Sequence, residues 1–168
     1  MAPISEMPHS VHLFLEQVEH GLWENCSFVI NAYHILQIGP HSFSVKSNKL
    51  KPFQEKKLDK VAFQEYHENN PHVKYALGFA GRPGGPDFYI NKIDNTKNHG
   101  PGGQDHHDLE EEADPSFAKI IGNIPFADML FELPTRGAQK IVKDEVTIES
   151  MELLQNYVEE TNDQLRQN

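Results

Sequence analysis

A single cysteine, Cys26, stands in 168 residues. That excludes an internal disulfide framework and any zinc site built on several thiolates, so packing has to hold the fold. Cations are also scarce. Fifteen lysines and arginines against 25 carboxylates leave a formal charge of -10. Phosphate recognition needs clustered bases, so no nucleic-acid partner is expected. The one basic run, residues 46–60, is interrupted and reads as a solvated loop. No apolar stretch approaches the roughly 18 residues of a membrane span, and residues 1–7 lack the basic start and apolar run of a signal peptide. The segment is therefore expected to be soluble and to carry no membrane span, while its compartment stays open. There is no Gly-x-Ser-x-Gly elbow, and residues 81–85 lack the Gly-Lys-Ser or Gly-Lys-Thr ending of a phosphate loop.

What is present suits one compact domain, since 38% hydrophobic content over this length supports a real core. Val11, Phe14, Leu15 and Val18 fall at i, i+3, i+4 and i+7. They predict a helix over residues 8–20, opened by Pro8 and closed by Gly21. Short β-branched and aromatic runs predict strands at residues 26–30, 33–38, 75–80, 87–91, 117–122 and 145–148. A second helix is expected over residues 125–133 and an amphipathic one over residues 151–166. Residues 41–70 read as a polar surface excursion with a weak helical stretch at 58–66. Residues 95–114 carry glycines, acids and histidines without an apolar period and read as a loop. The pattern is mostly β with helices early and late, which fits a barrel or sandwich rather than alternating βαβ units.

Several segments, in this order, resemble one family. Met7-Pro8-His9-Ser10-Val11 with Phe14-Leu15 is similar to a first helix beginning Pro, Thr or Ser, Val. Gln37-Ile38-Gly39 resembles a Gln-Gly-Gly. Phe79-Ala80 resembles a Met-Ala, Asp87-Phe88-Tyr89-Ile90 a Gln-Phe-Phe-Ile, and Phe117-Ala118-Lys119-Ile120 a Phe-Gly-Lys-Val. The family is the cyclophilin-type peptidyl-prolyl isomerases. The resemblance implies a cyclophilin-like antiparallel β-barrel capped by two helices over residues 1–153, followed by a C-terminal helical tail at 154–168. Members begin with two strands ahead of the first helix. Only six residues precede Met7, so the barrel is expected to be open or to lack its first strands. The stretch between Tyr89 and Phe117 is also longer than usual.

The resemblance further implies a site. It predicts peptide-binding residues Ile35, Leu36, Gln37, Phe79, Ala80, Tyr89 and Leu109, the partner being a proline-containing peptide or protein with no cofactor. The family's catalytic arginine falls at Ile30, which carries no cation. Asn31 and Arg82 are the remaining candidate donors, and Asp114 falls where members place a histidine. The expected function is proline-peptide binding with weak or absent isomerase activity. Two alternatives stand beside it. One is a non-catalytic interaction module using the groove or the tail. The other is divalent-metal binding by the loop over residues 99–112, through His99, His106 and His107. Trp23, in the turn after the first helix, reads as a packing residue.

Overall fold

The computed structural model describes residues 1–40, 49–81, 84–103 and 113–154. Helix α1, Pro8–Glu19, starts at its proline as expected, and strands β1, Ser27–Asn31, and β2, Ile35–Gly39, follow. Next come α2, Leu50–Glu55, then β3, Ala76–Phe79, and β4, Phe88–Asn91. The chain continues through α3, Thr96–His99, β5, Ser116–Lys119, and α4, Ile124–Phe131. Two two-residue strands follow, β6, Thr135–Arg136, and β7, Ile141–Val142. The seven strands of the described residues join one sheet in the order β5-β3-β4-β2-β1-β7-β6, and their pairings are antiparallel. Among the described residues β5 and β6 do not pair, so the ladder is open between them.

Strand alternation assigns the two faces. Leu36 lies opposite Ile90 and Ile38 opposite Phe88, while Leu77 pairs with Ile90 and Phe79 with Phe88. These six side chains form the inner face, and α1 covers them with Val11, Leu13 and Val18. An aromatic cluster fills the centre. Phe14 sits 5.0 Å from Phe117 and 5.5 Å from Phe88, and Trp23 meets Phe88 at 4.7 Å and Phe53 at 5.2 Å, both edge-on. Trp23 is thus a packing residue. Such edge-to-face contacts add to ordinary area burial.

Several expectations need correction. The helix predicted at residues 58–66 does not form. There Val61 donates its N–H to the Gly84 carbonyl at 2.7 Å, so the backbone is tied across to the β3–β4 connection instead of to its own preceding turn. The short helix in that excursion is α2, placed by Phe53, which is fully buried. The predicted loop over 95–114 contains α3, opened by Asp94, whose carboxylate accepts the Thr96 N–H at 3.0 Å. Residues 145–148 form only an isolated bridge, Ser27 with Thr147, beside β1. Of the predicted C-terminal helix, residues 151–154 are not helical, and the remainder lies outside the described residues. No helix among the described residues is long and apolar enough to cross a membrane.

The excursion is fastened to α1 by a carboxylate. Glu65 accepts the His9 N–H at 2.9 Å and the Ser10 N–H at 2.8 Å. These are first-turn amides that the helix cannot satisfy itself, and Met7 offers no side-chain cap. A negative group there also opposes the positive end of the helix dipole. Glu65→Ala is therefore expected to lower unfolding free energy by about 1 kcal/mol, read from the urea midpoint; an unchanged midpoint would remove this capping role.

Candidate functional site

The outer face of the sheet carries the chemistry. Ile30 pairs with Gln37, Gln37 with Tyr89 and Tyr89 with Gly78, which sets these residues in one row across four strands. Ile35 and Asn91 form the neighbouring pair on the same face. Two glycines let side chains lie flat on this surface. A Cβ at Gly78 would come within 2.7 Å of the end of the Tyr89 ring, and one at Gly39 within 2.5 Å of the Asp87 carboxylate. Gln37 donates its amide to that carboxylate at 2.8 Å.

At the Gly39 end this face is open. A cleft of about 550 Å³ is lined by Gln37, Ala80, Gly81, Gly85, Pro86 and Asp87, together with Leu50, Asp59 and Lys60. At the Asn91 end the face is covered by polar side chains. Tyr89 donates its hydroxyl proton to Asp114 Oδ2 at 3.0 Å, and His99 Nδ1 lies 2.6 Å from the same oxygen. His72 Nε2 is 2.9 Å from the Asp114 backbone carbonyl; a carbonyl can only accept, so that nitrogen carries the proton. The His99 ring packs 4.7 Å from the Tyr89 ring, and His34 stacks on His99 at 5.6 Å. Asn95 donates to the His34 carbonyl at 2.8 Å and to Asn91 Oδ1 at 2.7 Å, while Asn91 donates to the Ala76 carbonyl. His72, Tyr89, Asn91, Asn95, His99 and Asp114 are all buried. Burying such groups is unfavourable unless they are hydrogen-bonded; here Tyr89, His72 and His99 meet Asp114, while Asn91 and Asn95 bond each other and main-chain carbonyls.

Burial also tunes His34. Desolvation lowers its pKa from the ordinary histidine value, and the nearby His99 and Lys92 lower it further.

The sequence-predicted residues divide between the faces. Ile35, Gln37, Ala80 and Tyr89 belong to the outer face, with Gln37 and Ala80 in the cleft wall and Tyr89 beneath the cover. Leu36 and Phe79 are fully buried on the inner face, where Phe79 stacks on Phe117 at 4.4 Å. They belong to the core rather than to the groove. Ile30 sits half-buried beside Gln37 on the outer face and is apolar. Asn31 points the other way. Its amide donates to the Phe131 and Leu133 carbonyls at 2.9 and 2.7 Å, closing the end of α4, and its oxygen accepts from Lys92 at 2.8 Å. Arg82, His106, His107 and Leu109 lie outside the described residues. His99 is buried against Asp114 rather than held on an exposed loop, and among the described residues no three His, Cys, Asp or Glu side chains gather to hold a metal. His72, Asn91 and Asn95 were not anticipated. Nothing in the sequence marks a polar residue for burial when its partners are distant along the chain.

No family model matches the chain, and no curated protein matches it either. Solved structures do. A cyclophilin-type peptidyl-prolyl cis-trans isomerase of Cryptosporidium parvum matches with a TM-score of 0.63 at 17% identity, covering 88% of this chain and 84% of that one. The crystal structure of that isomerase in the presence of the dipeptide Ala-Pro gives 0.61 at 18% identity, with 88% and 85% covered. The chain has a cyclophilin-like fold.

Gly78→Ala is expected to cost about 1–3 kcal/mol, since the added methyl has to displace a ring pinned by hydrogen bonds; a stability equal to wild type would mean the ring moves freely. Acid should also weaken the fold through His34. Its folded pKa lies below the unfolded one, so the unfolded chain takes up the proton first and stability falls as pH drops below about 6.5. His34→Gln should then lose less stability than wild type between neutral and mildly acid urea melts. Equal losses would exclude His34 as a contributor.

Proposed function

We propose that this domain binds proline-containing peptides in the cleft beside Gln37 and Ala80 and isomerises them weakly or not at all. The carrying observation is the apolar Ile30 beside Gln37 on the outer face. Rotation about an X-Pro bond requires no covalent step, only relief of amide conjugation across a barrier of roughly 18–20 kcal/mol. A fixed donor aimed at the prolyl amide would provide that relief by stabilising the twisted state selectively. Ile30 has no proton to give, and Asn31 is committed to carbonyls at the end of α4. The loss of one such donor typically lowers a rate by about 10²–10³-fold. Arg82 is the remaining candidate donor.

Binding is better supported than turnover. The cleft sets the Pro86 and Ala80 surfaces beside a glutamine amide, a combination that suits a peptide carbonyl flanked by apolar groups. The cyclophilin-type neighbour was crystallised in the presence of Ala-Pro, which fits the same ligand class. The binding unit is residues 1–153, with 154–168 as an appended tail. A metal-binding reading draws no support from His99, whose Nδ1 lies against Asp114.

A protease-coupled assay on a prolyl peptide, run beside an active cyclophilin, tests the catalytic half. Turnover at least about 10²-fold lower is expected, with any residual rate reduced further by Arg82→Ala. Calorimetry tests the binding half: an Ala-Pro peptide should bind, and Gln37→Ala should weaken it by about fivefold, the value of one net hydrogen bond near 1 kcal/mol. Full turnover would sink the first half and absent binding the second.

A further inference from the structure

The polar cover over Tyr89 deepens this reading and rests on it. Its central part is the segment from Asn95 to Gly100, which contains α3 and sets His99 on the outer face. The imidazole is a flat five-membered ring packed on the Tyr89 ring at 4.7 Å, and it is buried there. A prolyl ring has the same member count and similar bulk, so the two compete for one surface. We propose that residues 95–100 form a self-occluding strap in which His99 holds the prolyl-ring position on Tyr89, leaving only the Gln37–Ala80 half of the groove open until the strap lifts.

The contacts that hold the strap are the kind that can lift. They include the His99–Asp114 pair, three hydrogen bonds from Asn95, one of them from its N–H to the His72 carbonyl, and the Asp114 N–H to the His99 carbonyl at 2.8 Å. None of residues 95–100 joins the hydrophobic core, whose side chains lie on the other face. Opening the strap therefore exchanges hydrogen bonds for water and uncovers the Tyr89 ring without exposing the core. The seat below remains formed, because Tyr89 is placed by β4 and by the space over Gly78. A strap open one-tenth of the time lowers apparent affinity about tenfold below that of the uncovered groove.

The test uses the full chain and an Ala-Pro peptide titrated by calorimetry into wild type, His99→Ala, His99→Gln and Gln37→Ala. His99→Gln keeps an amide donor toward Asp114 and removes the ring. Folded His99 variants should bind about tenfold more tightly. Equal or weaker binding by a folded His99 variant, with affinity still lost in Gln37→Ala, overturns the strap and leaves the peptide reading standing. No binding by any folded form removes both. Should neither His99 variant fold, hydrogen exchange on wild type decides. Saturating peptide must speed exchange at the Asp114 N–H, whereas unchanged or slowed exchange rejects the strap.

Discussion

The outer face of this domain is organised around one buried carboxylate. Asp114 Oδ2 receives the Tyr89 hydroxyl and faces His99 Nδ1, while its main-chain carbonyl takes the His72 proton. A carboxylate without partners at that depth would be strongly unfavourable, so the surrounding groups are tied to it. Tyr89 comes from β4, His72 from the segment before β3, and His99 from α3. Asp114 itself lies two residues ahead of β5. A charge that needs several distant donors specifies how these pieces meet, which hydrophobic burial, being non-directional, does less well.

The same arrangement explains the glycines at positions 78 and 39. Each sits on the outer face where a side chain crosses the strand, Tyr89 over one and Asp87 over the other. At the first the crossing residue is drawn into the polar cover, and at the second it helps to line the cleft. The division of the face into a covered half and an open half is thus set by where the glycines fall and by which donors can reach.

Much of the inner architecture was legible in the chain. The stripe of Val11, Phe14, Leu15 and Val18 predicted α1, although Leu13 packs in the core too and breaks the simple spacing. Strands β1 to β5 were found because β-branched and aromatic runs between turn residues leave few alternatives. Strands β6 and β7 were missed, since two residues cannot show a period. The faces were harder to read than the strands. Alternation works when one side is wet, but all four residues of β4 are buried. Two-sided burial erases the period-2 signal, so Leu36 and Phe79 could not be told from groove residues. The polar cover was illegible for another reason: Asn95, His99 and Asp114 stand in a stretch whose glycines and acids look like solvent-exposed loop, and the Asn95 partner His34 is far away in sequence.

Opposite faces of one strand can change independently, and this chain illustrates the consequence. Inward positions such as Phe79, Phe88 and Ile90 keep the aromatic and aliphatic volume that the core requires, so the cyclophilin-like arrangement persists at 17% identity to a solved isomerase. Outward positions such as Ile30 lie off that core. Neighbouring residues on a strand point to opposite sides, so a change at Ile30 does not reach the volume packed beneath the sheet. Catalysis by amide rotation depends on a few outward donors and a clear ring pocket, which are the features least protected by the stability of the core. The volume packed beneath such a sheet therefore constrains the fold without constraining the donors above it.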